Sequence, residues 1–187
     1  MRSVKRMDLK PGLVLVTGLF AVTILAGALA LPAFFAETLE DVGELLEPLY
    51  DLNSILLVLL IFLNNAFKAL LIIVLGAALG LAPLALIAYN GLLVGALVAS
   101  TDVSGAVVAA ALLPHGILEV PLILLSAALG VTAGWQSLKW IARRESKLGD
   151  ELLRGLRVYA RWIVPGLLIA ALIEVYATPY VLKLAGG

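Results

Sequence analysis

The sequence predicts an all-α fold, a polytopic membrane bundle of about five transmembrane helices. Composition is the first reason, because 63% of the 187 residues are hydrophobic and only 14% are charged, whereas soluble domains carry about 25% charged residues. The second reason is the length of the apolar runs, since about 20 residues of helix cross a hydrocarbon core roughly 30 Å thick. These runs cover residues 13–36, 55–79, 83–99, 106–134 and 162–184. We therefore expect one transmembrane domain over residues 1–187.

The distribution of basic residues is the third reason, and it also predicts the orientation. Eleven of the 13 Lys and Arg residues lie before the first run or between the fourth and the fifth. Five crossings place both segments on one side, which the positive-inside rule makes cytoplasmic. We expect a multipass cell-membrane protein with its N-terminus in the cytoplasm and its C-terminus outside. Ala28-Leu29-Ala30 resembles a signal cleavage site, but the first apolar run is longer than a signal core, so we interpret it as a retained helix.

Two segments are predicted to lie outside the hydrocarbon core. Residues 37–51 contain six acids and no base, and their leucines at helical spacing predict an acidic amphipathic helix on the outer surface. Residues 135–161 carry seven bases and three acids, with Trp135 and Trp140 near the start. This cytoplasmic segment is predicted to lie on the anionic inner leaflet through its charges and aromatic anchors.

Several polar side chains lie within the predicted transmembrane helices, near the middle of the membrane. A charged side chain at the bilayer centre costs about 2.5–3.5 kcal/mol on insertion scales and usually faces a bundle interior or a wet cavity. Asn64 and Lys68 are four residues apart, as are His115 and Glu119, so each pair shares one helix face. We predict a ligand or ion site formed by side chains of this kind. Its candidate residues are Asn64, Asn65, Lys68, Asn90, His115, Glu119 and Glu174.

The stretch PHGILEVP, residues 114–121, lies inside the fourth run and predicts a broken helix. Pro114 removes a backbone donor and Gly116 loosens the chain beside it, and Pro121 is a second break position. Non-helical backbone inside a membrane is tolerated where protein or water covers it, which predicts an enclosed polar pocket. A half-helix starting near Gly116 would direct its free N–H groups into that pocket and favour the ionised form of Glu119.

Three Gly-x-x-x-Gly pairs predict close contacts between the helices. Small residues one turn apart allow two helix backbones to approach each other. The pairs lie at residues 76–80, 91–95 and 130–134.

Three blocks of the sequence resemble the stage II sporulation protein M family. FLNNAFKALL, IAYNGLLVG and LLPHGILEVPLILLSAALG follow one another in the order of that family's motif blocks. The resemblance implies a multipass membrane protein with a cytoplasmic N-terminus, which in spore formers works with cell-wall degrading partners during engulfment. The family also occurs in organisms that do not sporulate. The motif positions correspond here to Asn64, Asn65, Asn90, Pro114, His115, Gly116, Glu119 and Pro121.

Three functions remain open at this stage. The first is an enclosed polar site that binds or conducts an ion or a small solute. The second is a non-catalytic scaffold, alone or as a homodimer in the bilayer, that recruits proteins that remodel the cell envelope. The third is an intramembrane metal-dependent hydrolase with a divalent metal on His115 and Glu119. That site lacks an HExxH arrangement, and with a single histidine it would need Glu174 or a second copy as a further ligand.

Other classes of function find no support in the sequence. There are no cysteines, and no serine has a base at a defined spacing, so nucleophilic catalysis is not expected. Membrane topology accounts for the basic residues, so no nucleic-acid partner is expected. No cofactor is predicted apart from the divalent metal of the third function. For Lys68, an ion pair with Glu119 or Glu174 competes with a role in the site.

Overall fold

A computed structural model describes residues 8–30, 53–100 and 105–186, and over these residues the chain is helical without strands. The predicted acidic helix at residues 37–51 lies outside the described residues. The helices are α1 (Lys10–Ala30), α2 (Ser54–Leu75), α3 (Leu81–Ser100), α4 (Gly105–Ile141), α5 (Leu148–Val158), α6 (Val164–Tyr176) and α7 (Thr178–Gly186), with a π-helical turn (Tyr159–Ile163) between α5 and α6.

Five of the described helical segments are long and apolar enough to cross a membrane, so the predicted all-α membrane bundle is confirmed. The segments are Lys10–Ala30, Ser54–Leu75, Leu81–Ser100, Gly116–Ile141 and Leu148–Tyr176.

The fifth segment begins earlier than the sequence predicted, at Leu148 rather than at residue 162. Gly155, Tyr159, Ile163 and Leu167 recur every four residues and face the bundle, from half-buried to fully buried. This inward stripe continues through the basic stretch, because the arginines among these residues lie on other faces of the helix. The helical part of the predicted basic segment thus packs one side against the bundle. The predicted segment includes the end of α4, the connection and the whole of α5.

The helix α4 is the centre of the bundle and contacts all six other described helices. One apolar cluster joins α2, α4, the π-helical turn and α6. Its buried members are Ala66, Ala69, Ile73, Leu129, Ile163 and Leu167. A second cluster joins the first four helices, with buried members Val16, Ile72, Ile87, Ala127 and Ala128.

The helices α1 and α3 form a tight parallel pair. Gly91 of α3 faces Thr23, and Gly95, one turn further, faces Ala28, so the two helices run in the same direction. A Cβ atom at Gly95 would clash with the carbonyl oxygen of Ile24. The predicted Gly-x-x-x-Gly contact at residues 91–95 is thus confirmed, with α1 as its partner.

The helices α2 and α4 form a second parallel pair. Gly76 at the end of α2 contacts Gly130, and the hydroxyl of Ser137 donates to the carbonyl oxygen of Ala77 just beyond α2. The predicted glycine pairs at residues 76–80 and 130–134 therefore pack against each other. A contact between Gly134 and Gly80 completes this interface.

The predicted break of the fourth helix is wrong, because α4 is one continuous helix of 37 residues with Pro114 and Pro121 inside it. Each proline removes a single backbone donor, whereas the flanking turns stay helical. Membrane helices tolerate proline when neighbouring elements support the freed backbone groups. At about 1.5 Å per residue, α4 is about 55 Å long, so it extends beyond a hydrocarbon core of about 30 Å.

Candidate functional site

A hydrogen bond between Asn65 and Glu119 connects the two parallel helices α2 and α4. The Asn65 amide nitrogen donates to the Glu119 carboxylate oxygen Oε2 over 2.9 Å. Asn65 is buried, with 7% of its surface exposed. Because the amide comes from a packed helix, the bond holds the carboxylate in one orientation, and hydrogen bonds to an ionised acceptor are stronger than neutral ones.

Beyond this hydrogen bond, Glu119 lines a cavity of about 200 Å³ between α1, α3 and α4. Phe20 of α1 and Ile87 of α3 form apolar walls. Ile123 of α4, about one turn after Glu119, also lines the cavity. Asn90 of α3 is the other polar residue that the cavity presents. Among the described residues that line it, Glu119 is the only acidic or basic one.

Asn90 is oriented by its own helix. Its amide nitrogen donates to the Leu86 carbonyl oxygen over 2.7 Å. The amide oxygen is therefore an acceptor that Asn90 can offer to a ligand in the cavity, and the second N–H of the amide is a further donor. Together, Asn90 and Glu119 present oxygen acceptors from two different helices.

Gly116 lines the same cavity, and its role differs from the predicted one. A Cβ atom added at Gly116 would meet no atom within 4 Å. The glycine does not interrupt α4. Its missing side chain instead leaves open space one turn before Glu119.

Tyr159 is a polar contact that the sequence reasoning missed. It begins the π-helical turn between α5 and α6, and its hydroxyl donates to the carbonyl oxygen of Ala66 over 3.0 Å. Ala66 is next to Asn65, so Tyr159 braces α2 at the level of the Asn65–Glu119 bond. The four-residue spacing of Gly155, Tyr159 and Ile163 was the available signal, but the neighbouring arginines had suggested a cytoplasmic segment.

Asn64 and Lys68 do not join the site. Both side chains are exposed on the surface of α2. Among the described residues Arg154 and Glu151 form an ion pair, and no ion pair joins Lys68 to Glu119 or Glu174, the alternative considered for Lys68. The structure thus brings Asn65 into contact with Glu119 and places Asn90 on the same cavity as Glu119, whereas Asn64 and Lys68 lie on the outer surface of α2.

Glu174 is half-buried on α6 and is not among the residues that line the cavity. The side chain of His115 lies outside the described part of the structure. In that part, no group of three or more His, Asp or Glu side chains could hold a metal ion.

Most of the chain is similar in sequence to known proteins. The family model described as stage II sporulation protein M matches residues 16–179, which include Asn65, Asn90 and Glu119. An uncharacterized protein of Methanocaldococcus jannaschii is 30% identical over 122 residues, which cover 63% of this chain and 68% of that relative. No solved structure matches the chain.

Proposed function

The chain belongs to the stage II sporulation protein M family, and for this membrane protein we propose that the cavity between α1, α3 and α4 binds a small cation. The observation that carries the proposal is the Glu119 carboxylate, which lines an intramembrane cavity and is oriented by Asn65.

The charge of the cavity wall supports a cationic ligand. A carboxylate away from water is costly unless a hydrogen bond or an opposite charge stabilises it. The Asn65 amide stabilises the carboxylate, and a cation in the cavity would be attracted to it strongly, because Coulomb attraction is stronger where the effective dielectric constant is low. None of the described residues that line the cavity is a Lys or Arg, so these residues offer an anion no partner of opposite charge.

The size of the cavity supports a small ligand. A water molecule occupies about 30 Å³ in the liquid, so a cavity of about 200 Å³ has room for a metal cation with part of its hydration shell or for a small organic cation. The oxygens of Glu119 and Asn90 would bind it from opposite helices, and Phe20 contributes an aromatic ring from α1.

Binding can be measured by thermal unfolding of the purified protein in detergent with Na⁺, K⁺, Li⁺, ammonium or methylammonium, at constant ionic strength with choline as the balancing cation. A ligand at 100 times its Kd stabilises the folded state by about 2.7 kcal/mol. We expect at least one cation to raise the Tm of the parent protein, and Glu119→Gln to abolish this rise while the variant still folds.

Two further variants make the test specific. Gly116→Leu places a side chain in open space that borders the cavity, so it should weaken cation binding with little loss of stability. Glu174→Gln removes an intramembrane carboxylate that does not line the cavity, so its cation response should equal that of the parent.

No cation response in the parent, or a response unchanged by Glu119→Gln, would contradict the proposal. Cation flux into vesicles then distinguishes a transport pathway from a binding site.

A further inference from the structure

The surface of α2 carries two polar side chains where a membrane helix normally presents apolar ones. Asn64 and Lys68 lie one turn apart and are exposed. Their neighbours on the same face are apolar, with Leu60 44% exposed and Phe67 61% exposed. We call these four residues the α2 outer face.

Lys68 lies well inside the span of α2. It is seven residues from Leu75, the nearer end of the helix, which corresponds to about 10 Å at 1.5 Å per residue. Side chains on a helix lean toward its N-terminus, so Lys68 points away from that nearer end. Lipid-facing Lys side chains at such depth are rare, because these residues usually pair or face a protein interior.

The described part of the chain supplies no counter-charge for Lys68. The Glu119 carboxylate faces the cavity and accepts from Asn65, and Lys68 forms no ion pair with it or with any other described carboxylate. The acids at residues 37–51 precede α2. From Ser54 to Lys68 the helix rises about 21 Å, and a stretch with six acids would have to enter the hydrocarbon core to reach that depth.

We propose that the α2 outer face binds a transmembrane helix of another protein that carries a carboxylate opposite Lys68. The carboxylate would accept a charge-assisted hydrogen bond from the Lys68 ammonium, and Asn64 can donate to or accept from a polar group one turn away. Leu60 and Phe67 would provide the surrounding apolar contact.

A second copy of this chain fits the same face less well. In a two-fold dimer the same patch contacts itself, and the axis of a membrane dimer keeps equivalent residues at equal depth. Lys68 would then approach Lys68 of the second copy, and like charges repel strongly where water is excluded. The proposed surface is the kind that the scaffold hypothesis requires, and it does not depend on cation binding in the cavity.

Energy transfer in vesicles tests the proposal with a defined probe. The full chain carries a donor fluorophore in phosphatidylcholine vesicles at neutral pH. The acceptor is on a leucine-rich transmembrane peptide with one Glu at the depth of Lys68, and a second peptide has Gln at that position. We expect saturable transfer with an apparent affinity about tenfold higher for the Glu peptide, which corresponds to about 1.4 kcal/mol.

Variants of the chain assign the effect to the α2 outer face. Lys68→Met should remove the preference for Glu over Gln. The matched control is Lys183→Met, which removes an exposed lysine on α7 and should bind like the parent. An equal affinity for the two peptides, or a Glu preference that persists in Lys68→Met, would overturn the proposal. So would efficient disulfide cross-linking between two copies of Asn64→Cys, because it would show that a second copy covers this face.

Discussion

The contact between Asn65 and Glu119 shows that two adjacent residues of one helix can have different surroundings. Asn64 and Asn65 are chemically identical neighbours, yet Asn64 is exposed and Asn65 donates to the half-buried carboxylate of Glu119. Successive residues on a helix are rotated by about 100°, so adjacent asparagines face different surroundings. In membrane proteins such interhelical polar contacts contribute about 0.6 kcal/mol on average and up to about 1.7 kcal/mol.

A double-mutant cycle measures this contact. Asn65→Leu, Glu119→Gln and the double variant should be non-additive in the free energy of unfolding, with a coupling of about 0.5–1.7 kcal/mol, because the amide donates directly to the carboxylate. Unfolding in mixed detergent micelles would provide the values. The control cycle pairs Lys68→Met with Glu119→Gln. That cycle should be additive within about 0.5 kcal/mol, since the two residues form no ion pair. Equal coupling in both cycles would contradict the assigned geometry.

At the scale of elements, glycine determines how closely the helices approach. Gly27, Gly91 and Gly95 lie where α1 and α3 touch, and a Cβ atom at any of them would clash with the neighbouring helix. Gly18 also lies on α1, but a Cβ atom added there would meet no atom within 4 Å. The same residue type is therefore essential for packing at one position and dispensable at another. Because α1 and α3 form two walls of the cavity, their close packing also determines its shape.

Substitution by alanine should have opposite effects on stability at a glycine in the helix interface and at a glycine outside it. Gly95→Ala should destabilise the protein by about 1–3 kcal/mol, because the added methyl group overlaps the Ile24 carbonyl and the helices must separate. Gly18→Ala should be neutral or stabilising by up to about 1 kcal/mol, because alanine favours the helix. Tm values of the two variants under identical detergent conditions provide the measurement. A stable Gly95→Ala protein would show that this interface is looser than described.

At the scale of the molecule, the directions of the helices agree with five alternating crossings. The first and third spans are parallel, and so are the second and fourth. The fourth and fifth are antiparallel, because Gly155 lies near Leu129 while Gly166, further along the chain, lies near Leu122. Five crossings with this alternation would put the two ends of the described bundle on opposite sides of a membrane, as the sequence predicts. Which side is cytoplasmic remains the prediction made from the basic residues.

Cysteine labelling tests that orientation. The chain has no native cysteine, so single variants are unambiguous. Lys183→Cys, on α7 near the C-terminus, should react with a membrane-impermeant maleimide added to intact cells. Glu145→Cys, in the exposed connection between α4 and α5, should react only after permeabilisation. The reverse pattern would invert the topology, and labelling of both from one side would contradict five crossings.

The amino-acid sequence by itself determined the class of protein, the number of spans and the family. These properties depend on hydrophobicity summed over about 20 residues and on motifs read along the chain, so they are insensitive to which helix packs against which. It also named Asn65, Asn90 and Glu119 among its candidates, because polar groups inside a membrane need partners.

Only the tertiary structure decided which candidates meet. It placed Asn65 against Glu119, left Lys68 on the surface, kept α4 helical through two prolines and put Tyr159 against α2. Each of these outcomes depends on contacts between residues about 50 to 90 positions apart, or on a helix rotation that a shift of one residue changes by about 100°. Periodicity within one helix carries no information about the helix on the other side of the contact, so these features follow from packing.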